Sequence, residues 1–276
     1  MGNAYESVSV DRGNPADRIA QVTLIGPGKG NAMGPAFWSE LPVVFAELDA
    51  DPEVRAIVLT GSGRNFSYGL DLAAMGGTLS PMLADGALAK PRAEFHARLT
   101  AMQGAITAVA DCRTPTIASV HGWCIGGGIS VAVSCDLRYC SEQSQFGQPA
   151  MRYGIGYRYK SLRRLVDIIG VPASKDMLLG GLRFSAQEAY AKGLVGRVLG
   201  AAEFQPFIDD IAGKIAIGAP LTAQQVKYTL ATILQDPDAR DLDRCEEMFQ
   251  TCYASKDYQE GIRAFAEKRK PVFKGE

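Results

Sequence analysis

The stretch that decides the fold is TIASVHGWCIGGGIS, residues 116–130. It opens with an apolar, β-branched run, and three consecutive glycines at residues 126–128 precede a second apolar run. Glycine lets two backbones approach closely, and the first N–H groups of a helix have no acceptor within the helix. The pattern therefore predicts a buried strand, a tight turn and a helix start whose free N–H groups suit a developing oxyanion.

A second glycine-rich stretch, VLTGSGRNFSYGLDL, covers residues 58–72 and also leads from a predicted strand into a turn. Gly61 and Gly63 would begin a dinucleotide-binding G-x-G-x-x-G motif, but Phe66 occupies the position of the third glycine. The motif is therefore absent from this turn. Taken by itself, the stretch fits a plain strand-to-loop turn equally well.

The first 200 residues alternate between strand-like and helix-like patterns. The predicted strands are 5–10, 19–25, 55–60 and 116–121, and the predicted helices are 35–49 and 92–111. Residues 73–91 are rich in Gly, Ala and Pro, which predicts a long loop. This alternation is typical of an α/β domain with a largely parallel sheet.

The pattern changes after residue 200, where amphipathic helices follow one another. They are predicted at residues 203–217, 221–234, 239–254 and 256–269. We therefore divide the chain into an α/β core, residues 1–200, and a C-terminal helical region, residues 201–276. Helices with apolar faces need a covering surface, which is either their own core or another subunit.

Composition narrows the classes of ligand and compartment. The 276 residues are 47% hydrophobic with a net charge of −1, so the chain offers a sizeable core and no general attraction to nucleic acid. No apolar run reaches the roughly 20 residues of a membrane-spanning helix, and the first residues do not have the pattern of a signal peptide. We expect a cytoplasmic protein without a membrane span.

The cysteines and histidines offer little for a metal site. The six cysteines form no C-x-x-C pair, and the only two histidines, His96 and His121, lie far apart in the sequence. Buried, reduced thiols are the simplest expectation for the cysteines. We expect no metal ion.

Several motifs in a fixed order carry a family resemblance. FSYGLD at residues 66–71, the glycine triplet, CDLRY at residues 135–139 and QFGQP at residues 145–149 together resemble the crotonase superfamily, also called the enoyl-CoA hydratase/isomerase superfamily. The resemblance extends to EKRKPVF at residues 267–273. It implies a spiral of β-β-α turns with two stacked sheets, followed by a helical region that builds trimers or hexamers. The implied ligand is an acyl-CoA thioester, with coenzyme A as part of the substrate and no separate cofactor.

The resemblance also implies an oxyanion hole. Carried over position by position, its two donors are the backbone N–H groups of Leu70 and Gly127. Negative charge gathers on a thioester oxygen when an α-proton leaves or a nucleophile adds, and two fixed donors stabilise it by about 3–4 kcal/mol each. Because backbone groups do this, Leu70 can serve as an ordinary core residue at the same time.

Coenzyme A carries phosphates and adenine, for which the resemblance indicates contacts in the loop after the first strands, in the first motif and near the C-terminus. The candidates are Lys29, Arg64, Ser67, Asp71 and Lys268. Each of these cations also fits an ordinary solvated side chain, and Asp71 also fits a structural carboxylate that bonds to the backbone.

The chain departs from the family at its acid–base positions. Hydration of an enoyl thioester needs a general base and a general acid, which the family's hydratases supply with two glutamates. Those positions hold Ser130 and Ala150 here, and Arg158 holds the position of a third carboxylate in the dienoyl-CoA isomerases. Ser130 cannot move a proton near neutral pH without a partner, and Ala150 has no proton to give, so ordinary hydratase or isomerase chemistry is in doubt.

The segment MRYGIGYRYK, residues 151–160, is rich in tyrosine and cations and follows directly. Within it Tyr157 falls near a tyrosine of a decarboxylase in the superfamily, and nearby arginines could bind a substrate carboxylate. The same cations equally fit the solvated face of a following helix. Glu94 and His96 are weaker candidates for acid–base work.

Two hypotheses of different classes therefore remain. The chain is an enzyme that acts on an acyl-CoA through a stabilised enolate, as a hydratase/isomerase or as a decarboxylase or thioesterase variant. Alternatively, it is a catalytically silent homologue that binds acyl-CoA or serves as a structural subunit.

Overall fold

The computed structural model describes residues 5–26, 28–79 and 89–276. Its larger sheet has six strands in the order β1-β2-β3-β4-β6-β9. These strands are β1 (Val8–Asp11), β2 (Ile19–Leu24), β3 (Ala56–Gly61), β4 (Thr116–Val120), β6 (Leu137–Ser141) and β9 (Arg197–Leu199). β1 and β2 pair antiparallel, and every other pair in this sheet is parallel. The predicted opening hairpin and largely parallel sheet are confirmed.

A smaller sheet contains β5 (Trp123–Ile125), β7 (Gln145–Gly147) and β8 (Phe184–Ser185), in the order β5-β7-β8. The chain passes from the large sheet to the small one at Gly122, which has a φ of 56°. A side chain there would collide with the backbone oxygen of Arg64, so only glycine fits this corner. The predicted α/β fold with two sheets is confirmed.

The helices of the core are α1 (Pro35–Ala50), α2 (Gly76–Leu79), α3 (Ala89–Asp111), α4 (Gly127–Ala132), α5 (Tyr159–Leu178) and α6 (Ala186–Ala191). The predicted loop over 73–91 is wrong in part, because α2 and the first turn of α3 lie within it, and residues 80–88 lie outside the described residues. The Gly, Ala and Pro content of residues 73–91 did not predict α2, which is short and lies beside α3. α5 is bent at Gly170, whose φ of 71° and ψ of 166° are not helical.

The main core lies on one face of the large sheet. α1 buries Phe37, Leu41, Val44, Phe45 and Leu48, whose spacing places them on one helical face. They pack with buried strand residues and with α3 in one cluster.

The opposite face of the large sheet is covered by α7 (Ala201–Ala216). Ile208 and Ala212 of this helix pack against Val58 and Ile117. α7 thus packs on the large sheet, and the division of the chain at residue 200 stays a prediction.

The remaining helices are α8 (Pro220–Ile233), α9 (Leu242–Ala254) and α10 (Lys256–Ala266), as predicted within a few residues. They leave several large apolar side chains exposed, including Leu230, Ile233, Phe249, Ile262 and Phe265. Exposed apolar faces of this kind are typical of subunit contacts.

Candidate functional site

The backbone of Leu70 is held by a parallel β-bridge to Met33. Met33 N–H donates to the Gly69 oxygen at 2.7 Å, and Asp71 N–H donates to the Met33 oxygen at 3.1 Å. The two bonds of this bridge use the Gly69 oxygen and the Asp71 N–H. The Leu70 N–H, opposite the Gly69 oxygen in the same peptide group, therefore points away from Met33. The Leu70 N–H has no acceptor within the described part of the chain.

Gly127 begins α4, directly after Gly126, whose φ of 56° and ψ of −119° reverse the chain. Gly126 N–H donates to the Gly147 oxygen at 2.9 Å, which anchors the turn to the end of β7. As the first residue of a helix, Gly127 has an N–H without an intrahelical acceptor. No other acceptor for it occurs among the described residues.

These two N–H groups border one small space. A Cβ built on Gly69 would lie 2.6 Å from Gly127 N, and a Cβ built on Gly127 would lie 3.6 Å from Leu70 N. The Met33 sulfur closes the same space, 2.8 Å from the Gly127 Cβ position. The structure thus brings Leu70 and Gly127 together as paired free donors, which is the arrangement that an oxyanion hole needs.

The residues at the family's carboxylate positions differ in their surroundings. Ser130 lies half-buried on α4, and Ala150 is buried in a 3-10 helix, Pro149–Tyr153. Arg158 is exposed at the start of α5 and donates to the His96 oxygen of α3 at 3.4 Å. Ser130 and Ala150 bring no proton-transfer group of suitable pKa, and Arg158 ties two helices together.

Tyr157 is partly buried, and its hydroxyl donates to Gln148 Oε1 at 2.9 Å. Burial raises the pKa of Tyr157 to about 12, so the phenol stays protonated near neutral pH. Its ring lines an apolar groove of about 380 Å³ together with Met151, Ile155 and Leu162. Sequence reasoning missed Gln148, although it stands inside the QFGQP motif.

The candidate coenzyme A contacts separate into two groups. Lys29 and Arg64 are exposed and make no ion pair within the described residues. Their loops adjoin, because Asn31 Nδ2 donates to the Asn65 oxygen at 2.7 Å. Lys268 is exposed just beyond α10.

Ser67 and Asp71 are engaged within the protein. Ser67 is fully buried, and its hydroxyl bonds to two backbone groups. Asp71 Oδ1 accepts from Ala74 N–H at 2.9 Å, and its other oxygen lies beside Gly28. The Ser67 hydroxyl is therefore occupied and inaccessible, which favours a support of the turn over the predicted ligand contact.

The other candidate acids and bases have ordinary surroundings. Glu94 and His96 are exposed on α3. Burial lowers the pKa of His121, which bonds to backbone groups of Gly63 and Ser119 behind the turn. All six thiols are free, with Cys245 and Cys252 less deeply buried than the other four.

Comparison with known proteins places these features in a family. Residues 15–276 match the family model described as enoyl-CoA hydratase/isomerase. The chain belongs to this family. The crotonase resemblance read from the motifs is thereby confirmed, and with it a hydratase/isomerase-like protein of fatty acid metabolism.

Similar proteins span almost the whole chain. A peroxisomal Delta(3,5)-Delta(2,4)-dienoyl-CoA isomerase of Arabidopsis thaliana is 31% identical over 98% of this chain and 98% of its own length. A probable enoyl-CoA hydratase of Mycobacterium tuberculosis is 32% identical with the same coverage of both chains. The crystal structure of an enoyl-CoA hydratase/carnithine racemase from Magnetospirillum magneticum is 31% identical, covers 99% of this chain and 97% of its own, and superposes with a TM-score of 0.85.

Two further kinds of feature are absent from the described residues. The described residues contain no group of three or more His, Cys, Asp or Glu side chains that could hold a metal ion. Among the helices of residues 5–26, 28–79 and 89–276, none has the length and hydrophobicity needed to cross a membrane. The cytoplasmic location stays a prediction.

Proposed function

We propose that the chain binds an acyl-CoA thioester with the carbonyl oxygen between the N–H groups of Leu70 and Gly127. The observation that carries this proposal is the pair of unused amides around one small space. Two preorganised donors in such a space favour an oxygen that gains negative charge, by about 3–4 kcal/mol per donor. An enolate formed from a thioester has such an oxygen.

The side chains of Lys29 and Arg64 are proposed to bind the phosphates of coenzyme A. Both are exposed on adjoining loops that Asn31 joins, and neither side chain is engaged in an ion pair within the described residues. Lys268 is proposed as a third cation. No cofactor beyond the coenzyme A of the substrate is proposed.

The chemistry at the thioester is proposed to proceed without the two glutamates of a hydratase. Loss of carbon dioxide from a malonyl-type thioester breaks the bond between the carboxylate and the α-carbon, and the electron pair forms the enolate. No general base is needed for this step. A proton donor must then protonate the α-carbon of the enolate. Tyr157 is the proposed donor, because it is protonated and fixed by Gln148. Hydratase/isomerase chemistry at a lower rate is the other enzymatic outcome.

A second candidate is a silent homologue that binds acyl-CoA or serves as a structural subunit. It is favoured by the absence of a proton-transfer group of suitable pKa at Ser130 and Ala150. The exposed apolar side chains of α8–α10 support a proposed homotrimer or hexamer in either case.

One experiment separates these candidates. The purified protein is incubated with crotonyl-CoA, a 3-enoyl-CoA, a dienoyl-CoA and a malonyl-type CoA, with products followed by mass spectrometry and thermal shift followed with coenzyme A. Turnover of any of these supports the enzyme and names its class. Thermal stabilisation without turnover supports the silent homologue, and no stabilisation at all contradicts acyl-CoA binding.

A further inference from the structure

Ser67 is fully buried, and each of its polar groups makes a hydrogen bond. Its hydroxyl donates to the Asn31 oxygen at 2.8 Å and accepts from Gly69 N–H at 3.0 Å. Its backbone N–H donates to the Trp123 oxygen at 3.0 Å, and its backbone oxygen accepts from Ile125 N–H at 2.8 Å. A single residue therefore connects three separate segments of the chain.

The Ser67 hydroxyl helps to fix the direction of the Leu70 N–H. The Ser67 hydroxyl holds Gly69 N–H, and Met33 N–H holds the Gly69 oxygen. The Gly69 oxygen and the Leu70 N–H belong to one planar peptide group, so they point in opposite directions. Fixing both ends of Gly69 therefore fixes the Leu70 N–H.

The backbone oxygen of Asn31, which accepts from the Ser67 hydroxyl, is held in place by hydrogen bonds of the Asn31 side chain. Its side-chain Nδ2 donates to the Ser62 oxygen at 2.9 Å, and its Oδ1 accepts from the Ser62 hydroxyl at 2.7 Å. Asn31 adopts a left-handed conformation with a φ of 55°, which this network holds in place.

Ser67 also lies beside Gly128, the residue that follows the second donor. A Cβ built on Gly128 would lie 3.1 Å from the Ser67 Cβ and 2.9 Å from its backbone oxygen. Gly128 directly follows Gly127, and Ser67 forms a parallel β-bridge with Cys124 at the strand that leads into the glycine triplet. The same residue thus lies next to the segments that carry both donors.

We propose that Ser67 is a positioning residue for thioester recognition, which acts through Gly69 on Leu70 and through Gly128 on Gly127. The inference rests on the proposed function of those two amides. It adds that the preference for a carbonyl oxygen depends on a buried hydroxyl that never touches the ligand.

The test compares two ligands that differ only at the carbonyl. Calorimetry gives the affinities for butyryl-CoA and for S-butyl-CoA, a thioether in which a methylene replaces the carbonyl. The ratio of the two affinities reports carbonyl recognition alone, because both ligands share the coenzyme A and the alkyl chain. For Ser67→Ala, we expect this ratio to fall about tenfold, as for one lost hydrogen bond, while S-butyl-CoA binds within about twofold of its original affinity.

The matched control is Ser144→Ala. Ser144 is also fully buried, and its hydroxyl donates to the Val120 oxygen at 3.1 Å, but it lies in the turn between β6 and β7. Ser144→Ala should lower the free energy of unfolding about as much as Ser67→Ala does, and it should keep the wild-type ratio of the two affinities. If Ser67→Ala does not fold, the nearly isosteric Ser67→Cys replaces it. We expect the affinity ratio to fall in this variant too, because a thiol is a weak hydrogen-bond donor and acceptor.

An unchanged ratio in a folded Ser67 variant, or an equal loss for both ligands, overturns the proposal. A wild-type protein that binds neither ligand, or binds both equally, contradicts instead the proposed role of Leu70 and Gly127, and the role of Ser67 falls with it.

Discussion

A methyl group added to Gly127 would lie 2.8 Å from the sulfur of Met33. Met33 is fully buried, and its thioether end is the flexible part of the side chain, which can shift by a change of rotamer. Backbone atoms around Gly69 have no such freedom, since a Cβ there would lie 2.5 Å from the Ile125 oxygen. Gly127 therefore tolerates a substitution for folding far better than Gly69 does.

Gly127→Ala should fold but lose thioester recognition, because the methyl group enters the space between the two free amides. We expect the ratio of butyryl-CoA to S-butyl-CoA affinity to fall about tenfold or more. Gly104→Ala is the control, since Gly104 lies within α3 with open space around it. It should leave the ratio unchanged and raise the free energy of unfolding by up to about 1 kcal/mol. A wild-type ratio in Gly127→Ala would contradict the proposed site.

Restoring both carboxylates tests whether the pocket still suits hydration. The double variant Ser130→Glu with Ala150→Glu should gain measurable hydration of crotonyl-CoA, because it supplies a base and an acid at the two positions where the family's hydratases have glutamates. Position 150 is buried, and burial raises the pKa of a carboxyl group, which suits a general acid. Glutamine at both positions matches the volume without the acid–base groups and should show no gain. Equal inactivity of the two double variants would mean that the pocket shape has diverged as well.

Lys227 on α8 attaches this helix to the core. Its Nζ lies 2.7 Å from Asp136 Oδ2, and the same oxygen accepts from Thr116 N–H at 2.7 Å. Lys227→Met should lower the free energy of unfolding by about 1–2 kcal/mol, because only 13% of the Lys227 side chain is exposed, although Asp136 is more accessible to water. The exposed pair of Lys214 with Asp210 gives the control, and Lys214→Met should cost less than about 1 kcal/mol in urea unfolding. Equal losses would show that Lys227 does not fasten the helix.

Buried thiols should make the protein unstable in alkali. Burial raises the pKa of Cys112, Cys135 and Cys140 from 9.0 to about 12. Between these values an unfolded thiol has lost its proton while the folded one keeps it, so the free energy of unfolding falls as pH rises from about 9 to about 12. Each thiol adds up to about 1.4 kcal/mol per pH unit to this slope.

Urea unfolding measured across that pH range checks the prediction. Cys140→Ala should reduce the slope, and Cys252→Ala, at a less buried position, should change it less. A slope that is the same in Cys140→Ala and in the wild type would contradict the assigned cause.

Much of the fold could be predicted because its signals are local. The opening hairpin, the parallel strands and α8–α10 all follow from apolar periodicity, which reports burial of one face. The short helix α2 could not be predicted, because its Gly-rich sequence has no periodicity of its own. The packing of α7 was also missed, since amphipathicity shows that a helix has a buried face but not which surface covers it.

The candidate site divides in the same way. Leu70, Gly127, Ser130 and Ala150 all stand in contiguous motifs, so their positions could be read directly. Tyr157 was named from the sequence, but its partner Gln148 was not, because hydrogen bonds between side chains depend on rotamers and on distances through space.

The sequence by itself indicated the family, because its motifs occur in a fixed order and spacing. That resemblance then indicated the amides of Leu70 and Gly127 and the two positions where glutamates are replaced. The tertiary structure alone showed that the Ser67 hydroxyl bonds within the turn, that Met33 closes the donor space, and that Lys227 of α8 pairs with Asp136. Such roles arise where segments distant in sequence meet, and no local pattern records which of them will touch.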